Sequence, residues 1–343
     1  MQDDILKLAF EVSRITGEKI AVIDRIMLRT QILSMNARLE STRAGEAGQG
    51  FGVVAREMGA VADEVNALSA QLQSEIAANT SRIETAGRHM MQEFKGQRYA
   101  DLARNVVEII DRNLYERSCD VRWWATDSAV VDALQDQTAD ARSHACERLA
   151  TILRSYTVYL DLWVADRSGR VVATGRGNRF PDAVGQNVRD TEWFKKGMAT
   201  SDGDDFAVCD IGRNRVLGNA QTATYSTAIR RDGAVNGEPL GVLGIFFDWE
   251  PQARDIVQGV ALTPLERADT RVMLLNSKHQ VIASSDKVCT LNETFPIKAE
   301  SDQGYYVDHG QMVCFALTPG YETYRGLGWY GCIESRVSNG RLH

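Results

Sequence analysis

Three glycines, Gly45, Gly48 and Gly50, interrupt two long runs of helix-forming residues, and this arrangement constrains the first quarter of the chain more than any other feature. The stretch reads "LSMNARLESTRAGEAGQGFGVVAREMGAVADEV" (33–65) and is rich in Ala and Glu. Before the glycines, Ile5, Leu8, Val12, Ile15, Val22, Ile26 and Leu33 form one a/d stripe. Ile20, Ile23, Met27, Thr30, Ser34 and Ala37 form a second, one position round. After them, Phe51, Val54, Met58, Val61, Val65, Leu68 and Leu72 alternate spacings of three and four, a coiled-coil seam of about three heptads. Glycine tolerates the positive φ that a chain reversal needs. The pattern therefore predicts two helices folded back on one another along that seam. A second stripe leaves a face for packing against further hairpins, and its small Ser34 and Ala37 permit close approach.

The helical spacing continues through Ile76, Ile83, Met90, Phe94, Leu102, Val106, Ile109 and Ile110, with Gly96 as the expected break or kink. A shorter helix is expected from "CDVRWWATDSAVVDAL", where Trp123 and Trp124 read as core or dimer contacts. From Tyr156 the period changes to two. "TVYLDLWVADRSGRVVATG" reads as a strand–turn–strand, followed by a loop and short helix in "RFPDAVGQNVRDTEWFKKGMAT". "DFAVCDIG", "ATYSTAIRRDG" and "EPLGVLGIFFDWE" are three more strands. "TRVMLLNSKHQVIASSD" then reopens the same strand–turn–strand logic, and further antiparallel strands follow to the end. The repeated opening points to an internal duplication. The expected class is α+β: an antiparallel helical hairpin (1–80), a helical stalk (81–150) and two PAS-like antiparallel-sheet modules (151–262 and 263–343).

Composition narrows the functional classes. A net charge of −7 and a pI near 5.4 leave no cationic excess for neutralising phosphates, which argues against a nucleic-acid binder. No apolar run approaches the roughly 20 residues of a membrane span, and "MQDDILKLAFEVSR" carries acids where a secretory signal needs a basic start. The expected location is cytoplasmic. Cys119, Cys146, Cys209, Cys289, Cys314 and Cys332 are widely spaced, as buried free thiols would be in a reducing compartment. Neither a metal spacing nor a nucleophile elbow nor a phosphate loop is present, so no cofactor, no metal and no enzymatic activity are expected.

The string "IDRIMLRTQILSMNARLESTRAGEAGQGFGVVAREMGAVA" (23–62) resembles the signalling tip of methyl-accepting chemotaxis receptors, without a gap over about forty residues. "RAGEAGQGFGVVA" is its most specific part. The resemblance implies homodimers that join as trimers of dimers, with a tip that binds the kinase CheA and the adaptor CheW. Carried over by position, trimer-type contacts fall at Leu28, Ile32, Met35, Asn36, Glu40, Arg43 and Val53, and the kinase and adaptor surface around Glu46, Val53 and Val54. Leu28, Arg29, Gln31, Arg38, Ser41 and Thr42 depart from the family pattern, and an arginine on a packed face is costly unless it snorkels or pairs. Only about 45 residues precede the turn, so the first arm reaches ~65 Å at most, too short for the usual first adaptation helix. Methylation-based adaptation of the usual kind is not expected.

The remainder resembles a double Cache sensor, most clearly in "VGQNVRDTEWFKKGM" and "GEPLGVLGIFFDWE". The resemblance implies that the first module binds a small polar ligand. The matching residues are Trp193 and Phe194 on the helix and Asp210, Tyr225 and Asp248 on strands. Amino-acid-binding members carry Arg two residues before the Trp. Here that position is Thr191, with Arg189 four before, so an amino-acid ligand is not implied. Chemically, Trp193 could be a stacking wall or simply core, and Asp248 a ligand acceptor or the cap of the next helix. Two functional readings follow. In the first, a chemoreceptor senses a small molecule and modulates CheA–CheW. In the second, the protein senses nothing and packs into receptor arrays through its hairpin.

Overall fold

The computed structural model describes residues 2–286 and 291–337, with side chains from residue 7 onward; Ile5's side chain and Cys289 fall outside them. The chain divides after Phe94 into two compact units. Helix α1 (Gln2–Arg43), a 3-10 turn (Gly45–Gly48) and the start of α2 (Gln49–Trp124) make up the first unit, and the rest of α2 belongs to the second. Among the described residues no helix is long and apolar enough to cross a membrane.

In the first unit the arms run antiparallel, but they close on a different seam from the one the heptads suggest. Ile20, Ser34, Ala55, Ala62 and Ser69 are buried, whereas Leu33, Phe51, Val54, Val61 and Leu68 are exposed. Ser34 of the second stripe faces Ala55 and Gly59 on α2, and Ser41, two turns on, faces Gly48 in the turn and Gly52 on α2. Ser34 Oγ donates to the Ala55 carbonyl at 2.5 Å, and Ser41 Oγ donates to the Gly48 carbonyl at 2.6 Å. Such contacts need helix backbones closer than Leu or Phe would allow, so small side chains take the inside and large ones are displaced outward. Arg29 and Arg38 are exposed, so neither is buried in the single chain.

The second unit continues with α2, which does not break at Gly96. That glycine makes room for the Tyr305 ring, which an added Cβ would strike. Helix α3 (Ser128–Gln135), capped by the Asp127 carboxylate on Ala129 N, and α4 (Ala139–Ser155) follow. The first sheet comprises β1 (Tyr159–Asp166), β2 (Val171–Thr174), β3 (Ala207–Asn214), β4 (Ala220–Arg230) and β5 (Pro239–Asp248), ordered β2-β1-β5-β4-β3. Helix α5 (Glu192–Met198) lies between β2 and β3 in the chain, and α6 (Trp249–Gln258) and α7 (Pro264–Ala268) link to the second sheet. That sheet has β6 (Thr270–Leu275), β7 (Val281–Ser284), β8 (Gln303–Asp308), β9 (Gln311–Leu317) and β10 (Tyr330–Arg336), ordered β7-β6-β10-β9-β8. The two orders are the same permutation, and every pairing is antiparallel, as expected of a duplication. The α+β class expected from the periodicity is the one observed.

Both sheets turn one face toward α2. Tyr99, Val106, Ile110 and Leu114 of that helix share a core with Leu162, Ile245 and Phe247 of the first sheet and with Val272, Cys314 and Ile333 of the second. At Gly331 the strand passes so near α2 that a Cβ would strike the Ala103 carbonyl. Each sheet keeps a separate cluster on its other face, around Trp163, Trp193 and Phe246 in the first and Met273, Val313 and Phe315 in the second.

Candidate functional site

The tip of the first unit is built from glycines with distinct tasks. Gly45 has φ +64°, the left-handed conformation that ends α1, and Ala44 N still donates to the Glu40 carbonyl at 3.0 Å. At Gly48 and Gly52 a Cβ would collide with Ser41, whose own hydroxyl closes the turn. Gly50 has open space around it. On this frame Asn36, Glu40, Arg43, Glu46, Val53 and Val54 are all exposed, and Arg43 pairs with Glu40 at 2.7 Å. Leu28, Ile32 and Met35 are exposed as well. A firm turn that presents apolar and charged side chains together is a surface suited to proteins.

In the first sheet module the six residues singled out for a ligand do not line one pocket. Trp193 and Phe194 are buried under α5, packed against Trp163 and Phe246, and the Trp193 carbonyl accepts from Ser226 Oγ at 2.7 Å. Gly244 leaves room for the Trp193 ring. Tyr225 points to the opposite face of the sheet. It is fully buried, stacks on Phe206 with centroids 6.2 Å apart, and its hydroxyl faces that of Tyr324. Burial pushes its pKa well above the usual phenol range. Asp210 ties the two modules: its carboxylate accepts from Ile211 N at 2.8 Å and from Asn276 Nδ2, in the turn after β6, at 2.9 Å. Asp248 is half-buried at the start of α6 and makes no side-chain capping bond. Burial raises its pKa, while Arg179 and Arg176 pull it back down. Arg189 is exposed.

Two buried charges of the first sheet module escaped the sequence reading. Asp161 is wholly buried in β1 and accepts from Leu162 N, Trp163 Nε1, Thr174 Oγ1, Gly175 N and Arg176 N. Burial pushes its carboxyl pKa up, and those donors oppose the shift. An acid inside the apolar run "YLDLWV" was the available signal. Arg230, at the end of β4, is 6% exposed and lines a cavity of about 310 Å³ with the last turn of α2. Further cavities of about 360 and 510 Å³ are lined by Arg142, Arg167 and Arg231, and by Asp182, Gln186 and Arg215. All three lie in the first module and the helices leading to it.

Residues 2–143 match the family described as the methyl-accepting chemotaxis protein (MCP) signalling domain. The chain carries a chemoreceptor signalling domain in its N-terminal region. The frizzy aggregation protein FrzCD of Myxococcus xanthus is 51% identical over 63 residues, 18% of this chain and 15% of that protein. The aspartate transducer of Klebsiella aerogenes is 31% identical over 114 residues, covering 32% of this chain and 21% of the transducer. The chain thus spans about a fifth or less of the length of these relatives. The sensor domain of the V. cholerae histidine kinase DctB superposes with a TM-score of 0.53 at 14% identity, covering 70% of this chain and 96% of that one. The ligand-binding domain of the Campylobacter jejuni chemoreceptor Tlp3, solved with 4-methylisoleucine, gives 0.51 at 14% identity, covering 75% of this chain and 96% of that one. At that identity the likeness establishes the fold of a double sensor module behind a long helix. The chain therefore joins a region that matches this signalling-domain family to a two-sheet fold shared with those two domains.

Proposed function

We propose that the protein is a chemoreceptor that senses a small polar ligand through its first sheet module and modulates the CheA–CheW kinase complex through the hairpin tip. In this reading residues 1–80 are the output hairpin, 81–150 the stalk and first sensor helices, 151–262 the ligand-binding module and 263–343 a second PAS-like module. The observation that carries the output half is the exposed ring of Asn36, Glu40, Arg43, Glu46, Val53 and Val54 around a glycine-fixed turn. The exposed stripe of Val54, Val61, Leu68 and Leu72 gives the hairpin a face for a second copy, hence a homodimer. The sensing half rests on the cavities grouped in the first module. A bound ligand biases the kinase only by as much as it prefers one packing state of the receptor over another.

The test is CheA autophosphorylation with CheW, with and without the full chain, alongside a Glu46→Ala, Val53→Ala double variant. The expected result is a change in kinase rate that the double variant abolishes. An unchanged rate at saturating protein, with folded chain, rejects the output half. The array-packing reading predicts instead that the chain enters receptor clusters without any ligand altering kinase activity.

A further inference from the structure

We propose that the cavity at the end of α2 is a second recognition site of the first module, taking a small organic monocarboxylate with an apolar body. Its link to signalling rests on the sensor reading above. The ladder between β3 and β4 starts at the Ala207–Ser226 pair, so β4 runs on to Arg230 without β3 beside it. The last turn of α2 and the turns at 203–204 and 233–235 enclose the space of about 310 Å³ that results.

Arg230 gives Nη1 to the Gly237 carbonyl at 3.0 Å and Nη2 to the Thr200 carbonyl at 2.6 Å, while its buried Nε has no partner. Arg122 lines the same space, gives Nε to the Ser118 carbonyl and Nη1 to the Asp204 carbonyl, and lies over the Phe206 ring. Among the described residues neither guanidinium pairs with a carboxylate. A buried guanidinium without counter-charge is costly, and its planar fork suits a carboxylate above other anions. Ala125, Ala228, Ala234 and Val235 make the remaining wall apolar, and Trp123, 68% exposed, stands at the mouth as an unused ring. The acid on the rim is Asp204; the neighbouring Asp202 and Asp205 carboxylates are taken up by Ser201 and by backbone N–H groups of their own loop. A second negative charge on the ligand would meet that loop, which selects for one carboxylate.

The full chain labelled with 5-fluorotryptophan gives one 19F signal per tryptophan, and Trp123→Phe assigns the one at the mouth. Propionate, phenylacetate and indole-3-acetate are titrated beside their neutral amides. The expected result is a saturable shift of the Trp123 signal with at least one acid, bound about tenfold more tightly than its amide, with the Trp193 signal unmoved. Arg230→Gln removes that preference. Because Arg230 also holds two loop carbonyls, Arg122→Gln serves as a milder variant and weakens the acid about fivefold. Equal shifts by acid and amide overturn the proposal. So does a shift that follows protein concentration, or no saturable shift from any acid up to roughly 10 mM. The readout is independent of the kinase. A kinase response to a ligand that leaves Trp123 unmoved rejects this site and keeps the receptor; a Trp123 response with no kinase effect keeps the site and rejects its role in signalling.

Discussion

The hairpin unit and the sheet unit solve opposite packing problems with the same kinds of residue. In the sheet unit, the largest apolar side chains are inside: Trp249, Phe246 and Trp163 are 2% exposed or less. In the hairpin, Phe51 is 75% exposed and Leu68 65%, while Ala55 and Ala62 are buried. The sheet unit completes its core within one chain. The hairpin spends its small residues on bringing two backbones together and leaves its large ones for surfaces outside itself. A single chain of this kind has one unit that is finished and one that asks for a partner.

The largest expected effect tests how self-sufficient the sheet unit is. Asp161→Ala leaves the Trp163 indole N–H, the Thr174 hydroxyl and the Leu162 and Arg176 backbone N–H groups without the carboxylate they donate to, while Gly175 N keeps the Leu162 carbonyl. The loss is expected to be about 4 kcal/mol, read from urea unfolding followed by tryptophan fluorescence. A loss below ~1 kcal/mol would mean that water replaces the carboxylate and that the knot is not what holds β1 to β2.

The hairpin's counterpart is Gly48, where a methyl group meets the Ser41 carbonyl. Gly48→Ala is expected to cost about 1–3 kcal/mol, while Gly50→Ala, in a helix with nothing nearby, should stabilise by about 0.5–1 kcal/mol. Amide exchange across 34–59 separates them: faster for the first, slower for the second. Equal behaviour would show that the arms tolerate wider spacing, and the contrast between the two units would shrink. Replacing Val61 and Leu68 together by Ser should leave the exchange pattern of a dilute single chain intact but remove any dependence of melting temperature on protein concentration. A concentration dependence that survives the change would place self-association elsewhere.

These contrasts also mark where the sequence was legible. Strand–turn–strand openings, the duplicated order of elements and the glycine turn were all readable, because period and turn chemistry are local. What escaped was register between elements. Heptad spacing names two stripes on α1, but only the distance between helices decides that the Ser34 stripe goes inside. Gly96 looked like a break because a glycine's reason, here the ring of Tyr305 two hundred residues away, is invisible locally. Trp123 and Trp124 read alike, yet one is exposed and the other 4% exposed, set by the angle of the last turn of α2. Tyr225 carries the right chemistry for a ligand but its place in the pleat turns it away from Trp193.

The smallest effect sits on the surface of the sheet unit, where completeness depends on polar bonds. Glu266 closes a capping box with Thr263 and pairs with Arg98 on α2. The Thr263 backbone N–H, followed by Arg98, brings its carboxyl from the ordinary 4.5 down to about 2. A carboxylate whose folded pKa is depressed contributes fully above its unfolded pKa and loses that contribution as the pH falls toward the folded value. Glu266→Gln should therefore cost about 1 kcal/mol near neutral pH, and the gap from the parent protein should narrow steadily below about pH 4.5. Urea unfolding of both proteins across that range reads the difference directly. A gap near zero at every pH would assign the contribution to the neutral geometry of the cap, since glutamine can still accept from Thr263 N, and would leave the Arg98 pair with no energetic role.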